Sequence, residues 1–146
     1  MSTSRITFDA VVIGGELDLT VTLDSQVIFQ SRITQQSQQV QAVLNDSQVA
    51  DHVIAITMHG KRPEHTRVNH LGEIESDCLL QISNIRLDDL DIQQAFLSCS
   101  LYRHSHNGTT DTVTQPFYGT MGCNGTVTTR LCTPVYPWFL ASMSKC

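Results

Sequence analysis

The chain is 146 residues long with hydrophobic residues at 40%, charged residues at only 16% and a formal charge of -5, which suits one domain and is too short for two separate cores. At this length folding buries roughly 68–70% of the unfolded surface, so no disulfide or metal is needed to hold it. Nine scattered Lys and Arg residues disfavour the phosphate neutralisation on which nucleic-acid binding depends.

The N-terminus, Met1 to Arg5, is polar, and no run approaches the roughly 18 apolar residues of a membrane span. No membrane or nucleic-acid partner and no conventional secretory signal are therefore expected. The first strict alternation is at Glu16 to Leu23, where Leu17, Leu19, Val21 and Leu23 are separated by Asp18, Thr20 and Thr22, the period of a half-buried strand. After a turn at Asp24-Ser25 it resumes with Val27, Phe29 and Ile33, and a three-residue loop would pair Val21 with Val27 and Leu19 with Phe29. Three more strands follow at Gln38 to Leu44, His52 to Met58 and Cys78 to Leu87.

Asp88 to Leu97 reads as a short helix with an aspartate N-cap and Ile92, Phe96 and Leu97 facing inward. Asn124-Gly125 offers the two positive φ angles of a type I′ turn, predicting a hairpin of Tyr118 to Gly122 with Thr126 to Leu131. In that hairpin about 20 Å would separate Cys123 from Cys132, beyond disulfide reach. The five cysteines, Cys78, Cys99, Cys123, Cys132 and Cys146, include no CxxC pair and read as free thiols. The sequons at Asn45, Asn107 and Asn124 read as turns. Pro137 can open a last helix carrying Trp138, Phe139, Leu140 and Met143. The pattern as a whole predicts an all-β protein: one antiparallel β-sandwich of jelly-roll type over residues 1–146, with one or two short helices and an apolar tail at 134–146.

Candidate sites are few. His104 and His106 would share one face of a strand, and His65 and His70 flank a loop near Glu64, but no zinc spacing is complete. Asp88, Asp89 and Asp91 form one carboxylate cluster and Glu73, Glu75 and Asp77 another; calcium takes oxygen ligands from such loops, but a helix N-cap with solvated loop charges is the favoured reading. Calcium is the only candidate cofactor. No GxSxG, phosphate loop or cysteine–histidine signature is present, and a catalytic residue is not expected. Tyr136, Trp138, Phe139 and Leu140 form an apolar segment suited to a partner surface, while Tyr102, Tyr118 and Trp138 are the aromatic rings that could stack on sugars.

Two resemblances add to this reading. Ile6 to Lys61, with Gly14-Gly15-Glu16-Leu17, the Asp24-Ser25 hairpin and the Val53-Ile54-Ala55-Ile56 strand, resembles the small carbohydrate-binding modules of the xylan-binding, calcium-dependent kind. The stretches HGKRPEHT from His59, YGTMGCNGTV from Tyr118 and the following TPVYPWFL look like small uncharacterised proteins of tailed bacteriophages. The second resemblance implies a non-enzymatic virion component assembled in the host cytoplasm. A head decoration, or a neck, baseplate or tail-fibre adaptor, would dock on other virion proteins as a homo-oligomer or symmetric assembly. The first implies the alternative, a glycan-binding module for host-surface attachment, with calcium as its candidate ion.

Overall fold

Alternation of buried and exposed side chains begins at the first strand and continues through nearly every long one. A computed structural model describes residues 3–62, 65–105 and 112–145, with side chains to residue 142. Strand β1 (Thr3–Ile13) buries Ser4, Ile6, Phe8, Ala10 and Val12 and turns Arg5, Thr7, Asp9 and Val11 outward. It is followed by β2 (Leu17–Leu23), β3 (Gln26–Ile33), β4 (Gln38–Asn45), β5 (Ala50–His59), β6 (Arg67–Val68), β7 (Ile74–Ser76), β8 (Leu79–Leu87) and β9 (Leu90–Asp91). Helix α1 (Gln93–Ser98) then leads to β10 (Ser100–Ser105), β11 (Thr112–Pro116), β12 (Thr120–Met121), β13 (Gly125–Thr133) and helix α2 (Val135–Lys145).

The strands form two antiparallel sheets, β12-β8-β1-β4 with β9 attached to β8, and β11-β10-β13-β5-β2-β3, beside a small β6-β7 ribbon. This is the expected β-sandwich. Its core lies between the sheets and includes Phe8, Leu19, Ile54, Ile56, Leu80, Phe96, Phe117 and Val127, all fully buried, each contributing about 1.5–3 kcal/mol. Helices α1 and α2 pack on each other, with α1 against β8 and α2 against β13. Among the described residues no helix is long and apolar enough to cross a membrane.

Four local expectations are corrected. The β2–β3 hairpin uses a two-residue turn, with Asp24 at φ 51° and Ser25 at φ 70° and Leu23 opposite Gln26. A bulge between Val21 and Thr22 of the register then brings Val21 opposite Phe29, so the parity problem is solved inside the strand and not in the loop. The Asn124-Gly125 hairpin does not form: β12 pairs with β8 in one sheet and β13 with β10 and β5 in the other, and neither residue has positive φ.

The helix expected at 88–97 starts only at Gln93, with Ile92 as its N-cap and no capping side chain. The preceding residues instead make a tight β8–β9 hairpin, Leu87 opposite Leu90, with Asp88 at φ 52°. The last helix begins at Val135, just after a cis Thr133–Pro134 bond, and Pro137 falls in its first turn, where its missing N–H costs nothing.

Candidate functional site

The aromatic residues singled out by sequence separate into inner and outer sets. Tyr102 is 3% exposed, packs edge-on to Phe117 at 5.9 Å, and its hydroxyl donates to Cys123 O and accepts from Cys123 N–H. Burial pushes the phenol up to about 12, and the ring has no face free for a sugar. Phe139 is buried and Trp138 half-buried against the core, whereas Tyr136 and Leu140 are exposed. The apolar tail is thus split: Phe139 packs against the core, while Tyr136 and Leu140 face outward. With Ile92, Ala95 and Leu97, Phe139 floors an open depression of about 590 Å³ between α1 and α2, rimmed by Asp91, Gln93, Gln94, Ser98 and Ser142.

Two carboxylates of the 88–91 turn are engaged locally. Asp88 Oδ1 accepts from Arg5 N–H at 3.2 Å and its Oδ2 from the Tyr136 hydroxyl at 2.9 Å, and this bond to Asp88 raises the Tyr136 phenol above its usual value. Asp91 Oδ1 accepts from Gln93 N–H at 2.9 Å at the start of α1. Asp88, Asp89 and Asp91 therefore do not form one ligand set, and among the described residues no group of three or more His, Cys, Asp or Glu is placed to hold a metal. His106, Glu64 and the Asn107 turn lie outside the described residues.

Two polar constellations that sequence does not signal bring reactive side chains together. In the first, His52 Nδ1 lies 2.6 Å from Asp24 Oδ2 and His52 Nε2 lies 3.3 Å from Thr133 Oγ1, the connectivity of a hydrolytic triad. The Thr133 hydroxyl, however, donates to Gln48 O at 2.7 Å and the residue is buried, so no nucleophile faces solvent. The arrangement pins the β5 and β13 ends to the β2–β3 turn.

In the second, the Lys61 ammonium, with its side chain 5% exposed, lies 2.6 Å from Asp77 Oδ1 and donates to Gly122 O at 2.5 Å. Lys61 N–H also donates to Asn124 Oδ1 at 3.0 Å, and Asn124 Nδ2 donates back to Lys61 O at 2.9 Å. Residues 61, 77, 122 and 124 thus meet in one internal clasp.

Burial opposes ionisation of Asp24 and Asp77. Hydrogen bonds from His52 and Val53 N–H to the first, and from Lys61, Thr66 and Cys78 N–H to the second, outweigh it and hold both carboxyls below their usual 3.8. A carboxyl depressed in the folded state stabilises the fold above its unfolded value and loses that contribution as pH falls through the lower folded value. The urea midpoint is therefore expected to hold steady down to about pH 4 and to drop below it, and replacing Asp24 and Asp77 by Asn should flatten that limb.

The outer face of the five-stranded sheet is different in kind. Residues 117, 119 and 121 turn inward and 118 and 120 outward; Thr120 sits opposite Gln81, and Gly119 O accepts from Ile82 N–H at 2.8 Å. Tyr118 lies two residues before Thr120 on this edge, and across the neighbouring strands Ser83 faces Asp9, which in turn faces Gln39. A parallel row holds Arg86, Thr7 and Gln41.

The Tyr118 side of this face is shaped by a bulge. The β1–β8 register shifts between Thr7 and Asp9, and the additional residue includes Asn84 at φ 54°, a conformation asparagine tolerates better than most. Asn84 Nδ2 donates to Asp9 Oδ2 at 3.1 Å, and Arg86 Nε donates to Asn84 Oδ1 at 2.7 Å. Carboxylate, amide and guanidinium are held in one chain of hydrogen bonds, with Tyr118 84% exposed at the sheet edge.

No protein-family model matches the chain, and no curated protein matches it. Among solved structures it is similar to "vCBM60 in complex with galactobiose", at 14% identity and a TM-score of 0.47, over 87% of this chain and 99% of that one.

Proposed function

We propose that the protein is a non-catalytic glycan-binding module that presents the outer face of its five-stranded sheet to a neutral oligosaccharide. The observation that carries this reading is the Tyr118 ring, 84% exposed on the edge of a polar face on which charges of both signs, Arg5, Asp9 and Arg86, are interspersed with Thr, Ser, Asn and Gln. A sugar offers an apolar C–H face and a rim of hydroxyls. An exposed tyrosine ring suits the first, and planar amide and carboxylate groups, which between them give and accept hydrogen bonds, suit the second. Asp9, Asn84 and Arg86 are already fixed by mutual hydrogen bonds, so less side-chain freedom is lost on binding. The reading uses no metal. The expectation of a virion component gains no support from the comparisons.

Titration calorimetry with neutral xylo-, galacto- and cello-oligosaccharides tests it. At least one series should bind the wild type and raise its melting temperature through selective binding to the native state. Tyr118→Ala should weaken that binding at least tenfold, about 1.4 kcal/mol, without lowering the melting temperature of the free protein. Absence of binding across the three series, or full affinity in Tyr118→Ala, would overturn the assignment.

A further inference from the structure

Each sheet of an open sandwich ends in strands whose outward N–H and C=O groups can template another strand, and natural edges are blunted by short length, proline, charge or bulges. Three of the four edges here are blunted. β3 is bulged between Val27 and Phe29 and carries Arg32, which is ion-paired with Glu16 at 3.5 Å and Asp18 at 3.2 Å. β11 is five residues long and ends at Pro116. β12 has two residues and follows Gly119 at φ 106°.

The fourth edge, β4, has none of these devices. Its eight residues, QQVQAVLN, contain no charge, proline or glycine, and they pair with β1 through eight consecutive partners without a register shift. Val40, Ala42 and Leu44 are already buried in the sandwich, while Gln39, Gln41, Val43 and Asn45 are exposed.

We infer that β4 is a pairing edge and that its occupant is a second copy of this chain. The strand is self-complementary. An antiparallel pair about a two-fold axis through Ala42 places Val40 opposite Leu44 on the inner face, and Gln41 opposite Val43 and Gln39 opposite Asn45 on the outer one. Faces match and no like charges meet. That matters for a chain of net charge -5, because this neutral stretch brings no like charges of its own into the contact. The contact is isologous, so it closes on itself; with the other edges blunted, the product is a dimer and not a fibre. Its sheet runs β12-β8-β1-β4-β4-β1-β8-β12 across both copies.

Sedimentation equilibrium of the full chain, from micromolar to submillimolar concentration, should show a monomer–dimer equilibrium. The double variant Gln41→Lys/Val43→Lys changes two exposed positions that face each other across the axis, and like-charge juxtaposition should weaken dimerisation by about a hundredfold or more. Gln41→Glu/Val43→Glu should do the same. An equimolar mixture of the two variants should recover a heterodimer, which a folding defect would not allow. A wild type that stays monomeric at the highest concentration, variants that still dimerise, or a mixture that remains monomeric would each overturn the inference. The glycan reading stands or falls separately, on the calorimetry of Tyr118→Ala.

Discussion

Gly14→Ala is expected to lower unfolding stability by about 3 kcal/mol or more and the melting temperature by about 6 °C or more. Gly14 turns the chain from β1 into β2 at φ 87°, where a non-glycine residue carries a strain of about 1–3 kcal/mol. A Cβ there would also lie 2.0 Å from Asp77 O and 3.1 Å from Asp77 C. Those are backbone atoms at the entrance to β8, which cannot swing aside as a side chain would. Gly72 separates the two effects: it has a similar φ of 84°, and the space a methyl group would fill has no other atom within 4 Å. Gly72→Ala should therefore cost about 1 kcal/mol, and thermal melts of both variants measure the difference. Equal losses in the two proteins would refute the clash with Asp77.

The second large effect is expected at Lys61. Lys61→Met keeps most of the stem and removes the ammonium from Asp77 and Gly122 O. Breaking one side of a buried pair typically costs about 3–5 kcal/mol. Asp77 keeps its bonds from Thr66 Oγ1 at 2.7 Å and Cys78 N–H at 2.8 Å and is partly open to water, so the lower end, about 3 kcal/mol, is expected. The double variant Lys61→Met/Asp77→Asn should recover part of the loss, since no lone charge is left behind. Urea unfolding of the two variants is the measurement, and a single variant as stable as the wild type would show that the clasp contributes nothing net.

The parts of the fold legible in sequence are those where one face is apolar and the other polar. Val40, Ala42 and Leu44 alternate cleanly with Gln39, Gln41 and Val43, and β2, β5 and the two halves of β8 on either side of its bulge follow the same rule. β1 escapes because Ala10-Val11-Val12-Ile13 is continuously apolar, hiding the period of two that Ile6, Phe8, Ala10 and Val12 obey. Asn124-Gly125 misleads for another reason. Turn propensity is local, but the flanking strands find longer partners in different sheets, nine consecutive pairs in the case of β13 with β5. Asn124 then spends its side chain on Lys61.

At the site, sequence identifies Tyr118 as a candidate ring but does not distinguish it from Tyr102, since exposure depends on which side of a strand meets the core. Asp9, Gln39 and Asn84 are invisible as a group because they come from three strands, and only the register makes them neighbours. The C-terminal segment is half legible: burial within α2 sends Phe139 inward and leaves Tyr136 and Leu140 outside.

The central place of β1 has a consequence for how the molecule is made. Its Asp9 is joined to Asn84, 75 residues later in the chain, and its second neighbour β8 is completed only at Leu87. During synthesis β1 can pair with β4 early, yet its other flank stays open until the chain through Leu87 has left the ribosome. Such distant pairings make folding slow and leave a sticky nascent strand pair exposed meanwhile, so chaperone capture of ribosome-bound chains should be strongest before Leu87 emerges and fall once it has.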